Sequence, residues 1–201
     1  MSKIYLILGS IGVGKTTFIY NLMKLENFQN IEILGADLYK YHYFNESTCL
    51  KENYKKAKVF LNYKLKKKIL SKEDFILEFV PSHKYKFDLI DFAIKSGYEI
   101  ITYYIGMENI DENVQRVIER EKNGADHVAS KKIRSREQLC LNKIPLIKKI
   151  SSILFFVDSS ERSFKLLGYY NLNELTIYEN KKWLSKIIGK IGEYNESWNA
   201  F

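Results

Sequence analysis

Gly9-Ser10-Ile11-Gly12-Val13-Gly14-Lys15-Thr16 decides how this chain is read. It is a complete Walker A pattern, G-x-x-x-x-G-K-[ST], and its surroundings suit it. The apolar run Ile4-Tyr5-Leu6-Ile7-Leu8 before it predicts a buried parallel strand. Thr17-Phe18-Ile19-Tyr20-Asn21-Leu22-Met23 after it predicts a helix. Strand, glycine loop and helix together form a phosphate cradle: loop N–H groups turn inward and the helix N-terminus adds its positive end. Lys15 is then expected to reach the β- and γ-phosphates, and the Thr16 hydroxyl to hold Mg²⁺. Gly9, Gly12, Val13, Gly14 and Thr17 complete the expected ATP-binding loop.

The chain has 201 residues, of which 46% are hydrophobic, enough for one domain with a substantial core. It has only 2 prolines and no low-complexity linker, so residues 1–201 read as one domain, a core over about 1–160 and an accessory tail from 161. No apolar run approaches a membrane span, and the apolar start suits a first strand better than a signal peptide. Cys49 and Cys140 are far apart in sequence and suggest reduced thiols in a cytoplasmic protein. His42, His83 and His127 are too scattered for a zinc site.

The net charge is +8, from 32 basic and 24 acidic side chains. Much of the lysine excess lies in residues 51–72. There Leu50, Tyr54, Ala57, Leu61, Leu65 and Ile69 form an apolar stripe at helical spacing, with lysines on the other faces. That lysine surface is either a solvated face or an attractor for an anionic substrate. No signature of nucleic-acid binding accompanies it. Arg116, Arg120, Arg134 and Arg136 cluster in a chain that otherwise prefers lysine. Planar guanidinium forks suit phosphate oxygens held in fixed geometry. The competing reading is a surface ion-pair helix with Glu119 and Glu121.

Strands are expected at 3–8, 31–35, 74–80, 98–105 and 152–157. Helices are expected at 14–26, 46–71, 84–96, 110–122 and 130–149, the last interrupted or restarted at Pro145. This alternation predicts an α/β fold with a parallel sheet of the P-loop NTPase type. A late hairpin, 163–169 with 174–179, and a tail helix at 180–190 follow. Ligands of such sheets bind beyond the carboxyl ends of the strands. There the P-loop follows strand one, Asp37 follows strand two and Glu78 ends strand three. Asp37 reads as a catalytic group or a helix cap. Glu78 caps an otherwise apolar strand, so its charge needs a reason: a role in the crevice, or an ion-paired structural carboxylate or Walker-B-like magnesium helper. No Asn-Lys-x-Asp guanine motif and no Leu-Ser-Gly-Gly-Gln signature occurs, which leaves a compact kinase-like protein.

In this order, the Walker A sequence, Gly35-Ala36-Asp37-Leu38-Tyr39-Lys40, Phe75-Ile76-Leu77-Glu78-Phe79, Ser96-Gly97-Tyr98-Glu99 and the segment from Arg116 through Gly124-Ala125-Asp126-His127-Val128 to Arg136 resemble the zeta-toxin family of P-loop kinases. The likeness covers roughly residues 1–160. It implies that Asp37 is the base that takes the acceptor proton and that Glu78 hydrogen-bonds the acceptor sugar. It further implies that Arg120 and one of Arg134 or Arg136 stabilise the transferring phosphate. Lys40 and His83 would lie on the acceptor side. The implied acceptor is a nucleotide sugar, UDP-N-acetylglucosamine, and the implied partner a small helical antitoxin. One departure stands out: Phe79, Val80 and Pro81 follow Glu78 where family members commonly place Thr or Ser. A nucleoside or antibiotic kinase is the nearest alternative enzyme, and a regulatory ATP-binding module the alternative of another class.

Overall fold

Uninterrupted apolar runs build the centre of a seven-stranded sheet, because parallel strands buried on both faces have no polar face to alternate with. The computed structural model describes residues 1–35, 39, 50–81, 84–161 and 163–198. Its strands are β1 (Lys3–Leu8), β2 (Glu32–Leu34), β3 (Phe75–Phe79), β4 (Glu99–Gly106), β5 (Ile153–Asp158), β6 (Lys165–Asn171) and β7 (Glu174–Ile177). The α-helices among the described residues are α1 (Lys15–Leu22), α2 (Leu50–Ser71), α3 (Lys84–Lys95), α4 (Ile110–Lys122), α5 (Ser130–Ile150) and α6 (Lys182–Trp198). The strand order is β2-β3-β1-β4-β5-β6-β7. β1 pairs in parallel with β3 on one side and β4 on the other. The chain therefore leaves β1 toward one edge and crosses to the other after β3. The loop after β1 sits at that switch, where open α/β sheets bind ligands.

Two cores sandwich the sheet. On one face Ile4, Leu6 and Leu8 pack with Ala57, Leu61, Leu65 and Ile69 of α2, and with α3, α5 and α6. The predicted stripe of α2 is thus buried as far as its side chains are described, and Lys55, Lys66 and Lys67 lie exposed on its other faces. On the opposite face Ile7, Ile76, Ile105 and Val157 pack with Val13, Phe18, Ile19 and Leu22 around α1.

Three expectations are corrected. Pro145 does not interrupt its helix: α5 runs continuously from Ser130 to Ile150 with Pro145 inside it. Proline removes one intrahelical hydrogen bond. Pro145 is itself buried, between the fully buried Ile144 and Ile147, and this packing on the sheet outweighs the loss. The first helix is shorter than 14–26. It ends at Leu22, and Glu26–Phe28 forms a separate 3-10 turn that presents Phe28 edge-on to Tyr5 at 4.8 Å. The tail helix begins at Lys182 and reaches Trp198, well past 190. The predicted hairpin is present, β6 running antiparallel to both β5 and β7. Its turn passes through Leu172 at φ 51°. Gly168 permits the close pairing, since a Cβ there would lie 2.3 Å from the Thr176 carbonyl oxygen.

Candidate functional site

The loop between β1 and α1 is built on backbone that only glycine takes easily. Gly9, Gly12 and Gly14 have φ of 148°, 88° and 91°. Two of them are also contact points. A Cβ on Gly9 would lie 2.5 Å from the Ile105 carbonyl oxygen, and one on Gly12 would lie 2.4 Å from Asn113 Oδ1. The loop is pressed between the end of β4 and the first turns of α4. Val13 is buried in the core beneath it. Thr17 opens α1 beside Thr16 and is exposed. The opposite side of the loop is held by α5, where Ser10 Oγ donates to the Ile133 carbonyl at 3.4 Å.

Lys15 is buried at 8% exposure, and its ammonium donates to the Ser10 carbonyl at 2.8 Å. The side chain therefore folds back across the loop instead of extending away from it. Thr16 Oγ1 is 3.2 Å from each carboxylate oxygen of Glu78 and donates into that fork. The parallel register pairs Leu8 with Phe79 and Ile7 with Glu78, which brings the strand-three carboxylate to the base of the loop. The sequence-predicted meeting of Glu78 and the P-loop is thus present. A hydroxyl and a carboxylate side by side at a phosphate cradle are hard oxygen donors of the kind Mg²⁺ takes. Asp37, Lys40 and His83 lie outside the described residues.

The arginines separate into different surroundings. Arg116 is half-buried and donates from Nη2 to the carbonyls of Ser159 and Ser160, both at 2.9 Å, tying α4 to the loop after β5. Arg120 is exposed one turn later. Arg134 forms an exposed ion pair with Asp111, and not with Glu119 or Glu121. Glu121 is paired with His127 at 2.8 Å. Arg136 is half-buried on α5, one turn before the buried Cys140. Burial pushes the Cys140 thiol up to about 12, while the charges of Lys15 and Arg136 pull it down and that of Glu137 adds to the rise. Lys15 and Arg136 thus act on one thiol from the loop and from α5.

A buried hub that sequence reasoning missed closes this end of the sheet. Asp158, the last residue of β5, is 3% exposed. It accepts from Trp183 Nε1 at 2.9 Å, from Lys181 Nζ at 2.9 Å, and from Ser160 Oγ at 2.9 Å. Burial alone would raise its pKa, but these hydrogen bonds and the Lys181 charge outweigh burial and hold it below the ordinary value. The Trp183 ring covers Gly106, where a Cβ would lie 2.6 Å from it. Phe164, in the same β5–β6 connection, meets Phe18 of α1 at 5.2 Å. The available signals were the lone Asp ending an apolar strand and Trp183, one of two tryptophans in an otherwise lysine-rich tail.

Among the described residues no helix is long and apolar enough to cross a membrane, and no group of three or more His, Cys, Asp or Glu is arranged to hold a metal ion. No protein-family model matches the chain, and no curated protein matches its sequence significantly. Solved structures match its fold. A chain of the PezAT chromosomal toxin–antitoxin system of Streptococcus pneumoniae superposes with a TM-score of 0.64 at 16% identity, over 97% of this chain and 87% of that one. A chain of the AvrRxo1-ORF1:AvrRxo1-ORF2 complex with ATP gives 0.66 at 11% identity, over 93% of this chain and 63% of that one. A protein of Chloroflexus aurantiacus described as a candidate kinase gives 0.59 at 14% identity, over 81% and 91%. The chain shares its α/β fold, a mostly parallel sheet flanked by helices, with these proteins.

Proposed function

We propose that this chain is an ATP-dependent phosphotransferase that passes the γ-phosphoryl group of ATP to a hydroxyl of a small molecule. The observation that carries the reading is the convergence of Lys15, Thr16 and Glu78 on one strained glycine loop at the switch point of the sheet. Phosphoryl transfer asks a protein mainly for positioning and charge neutralisation, and this loop is equipped for both. Its N–H groups and Lys15 bind the phosphates. Thr16 and Glu78 would hold Mg²⁺, which when bound neutralises phosphate charge. The Thr16–Glu78 contact supports the magnesium-side role of Glu78 over the sugar-orienting one.

Asp37 is the proposed base, two residues beyond Gly35 at the carboxyl end of β2. Arg120 and Arg136 are the proposed phosphate-stabilising arginines. For Arg136 the support is its half-burial on α5, the helix whose Ile133 carbonyl accepts from Ser10 of the loop. Arg134 is engaged by Asp111 at the surface. The proposed acceptor is a nucleotide sugar, UDP-N-acetylglucosamine, with Lys40 and His83 on its side of the site. This rests on the zeta-toxin resemblance. The same resemblance, with the toxin–antitoxin origin of one structural neighbour, supports a small antitoxin as partner and a cytoplasmic setting.

The test is incubation with ATP, Mg²⁺ and UDP-N-acetylglucosamine, with mass spectrometry for a product heavier by one phosphate. Such a product, formed by the wild type and not by Asp37→Asn, supports the whole reading. Transfer to another metabolite keeps the phosphotransferase and removes the nucleotide sugar. No transfer to any member of a metabolite panel, with ATP bound, favours a regulatory binding module.

A further inference from the structure

Asn113 is the least satisfied polar residue in the described structure. It is 1% exposed, and neither its Nδ2 nor its Oδ1 has a hydrogen-bond partner or any appreciable contact with solvent. It does not cap its helix. Asn109 does that, accepting from the Asp111 N–H at 2.9 Å. Asn113 meets Gly12 beside Val117, and Val117 belongs to a small apolar core with Val114 and Ile133. An amide in such a place costs stability, and an apolar side chain of similar size would remove that cost.

The amide is aimed at one thing. Its oxygen is seated against the α-carbon of Gly12, in the middle of the phosphate loop. In the arrangement seen, the Lys15 ammonium donates to the Ser10 carbonyl. A bound phosphate competes for that lysine and for the loop N–H groups. Any turn of the Gly12 peptide groups toward that phosphate would take place against Asn113. Asn113 carries two donors and an acceptor and can follow either a freed carbonyl or a freed N–H. A valine or leucine there could do neither.

We propose that Asn113 is a positioning residue of the nucleotide site: its amide forms hydrogen bonds with the Ile11–Gly12 backbone when phosphate fills the loop. This rests on the P-loop reading above. The bond would lock α4, which carries Arg116 and Arg120, to the loaded loop, so the arginine helix registers the presence of ATP. Asn113 touches no reacting atom in this scheme. It acts through the loop.

The experiment compares the wild type with Asn113→Leu and Asn113→Ala. ATP affinity is read by calorimetry, and stability without nucleotide by urea unfolding. The expected result is a change of opposite sign. Asn113→Leu unfolds at the same or higher urea concentration than the wild type yet binds ATP roughly three- to tenfold more weakly, the size of one lost hydrogen bond. Asn113→Ala, which adds no bulk at Gly12, shows the same weakening. In the wild type, ATP shifts the Asn113 side-chain amide resonances and slows their exchange. Wild-type affinity in both variants overturns the proposal and leaves the P-loop reading standing. Weaker ATP binding with the amide resonances unmoved in the wild type also overturns it, since the variants then act only through packing. Failure of the wild type itself to bind ATP overturns both readings together.

Discussion

The Lys15 ammonium donates at 2.8 Å to the carbonyl of Ser10, five residues earlier in the same loop. The lysine is therefore already turned over the concave side of its own glycine loop. Lys15→Ala is expected to abolish measurable ATP binding while the fold persists. The loop conformation rests on its glycines and its contacts with β4, α4 and α5, not on the lysine. Circular dichroism with calorimetric ATP titration checks this. A folded Lys15→Ala protein with unchanged affinity removes the loop from the site.

Thr16 and Glu78 are expected to act as a pair toward magnesium. Glu78→Gln keeps the shape and the hydrogen bond but loses the charge. The prediction is a higher Mg²⁺ concentration for half-maximal phosphotransfer, with ATP affinity in the absence of the metal little altered. Thr16→Val should do the same, and the double variant should be no worse than the more severe single one. Additive effects of the two substitutions would mean that they act separately.

The arginines should divide by surroundings. Arg120→Ala and Arg136→Ala are each expected to lower phosphotransfer on the order of 10³-fold, as loss of a transition-state arginine does. Arg134→Ala should change the rate little and cost less than about 1 kcal/mol of stability, because its pair with Asp111 is exposed on both sides. Single-turnover rates and urea unfolding of the three variants provide the check. A large rate loss in Arg134→Ala with a small one in Arg136→Ala reverses the assignment.

Asp158 should carry a pH-dependent part of the stability. Its folded pKa lies below the ordinary value, so its contribution is complete above the unfolded pKa and is lost as pH falls through the folded one. Asp158→Asn removes that contribution. The stability gap between wild type and variant should thus be largest at neutral pH and narrow progressively in acid. Asp158→Ala should cost about 3 kcal/mol at neutral pH, since Trp183 and Lys181 lose a buried partner together. A gap that does not change between neutral and acid pH would place the charge elsewhere.

Cys140 should be inert in the folded protein. It is fully buried and its thiol is pushed up to about 12, so almost no thiolate exists at neutral pH. Alkylation mapped by mass spectrometry should reach Cys140 only under unfolding conditions. Rapid labelling of the native chain at Cys140 contradicts this.

The sheet and the loop were legible because their signals are local. An apolar run followed by a Walker A pattern specifies strand, turn and helix within a short window, and the predicted strands β1 to β5 all occur within a residue or two of the expected bounds. The Thr16–Glu78 contact could be anticipated only in outline. Sequence order puts both residues at strand ends, but the pairing of Ile7 with Glu78 is a matter of register. Pro145 misled because local propensity was weighed without the burial of the helix around it. The hub of Asp158, Lys181 and Trp183 was missed because no spacing rule joins its separate signals, an Asp ending an apolar strand and a Trp more than twenty residues later. Asn113 gave no signal at all: on paper it is one polar residue in the first turns of an amphipathic helix.

Trp183 lies against Gly106, the residue after the carbonyl on which Gly9 is seated. A ribosome makes the phosphate loop long before it makes the ring that backs β4. Until that ring is synthesised, the end of β4 faces solvent and Asp158 lacks two of its donors. Completion of this wall thus waits until synthesis has passed Trp183. A nascent chain stalled in the hairpin would already carry the glycine loop while lacking the wall behind it.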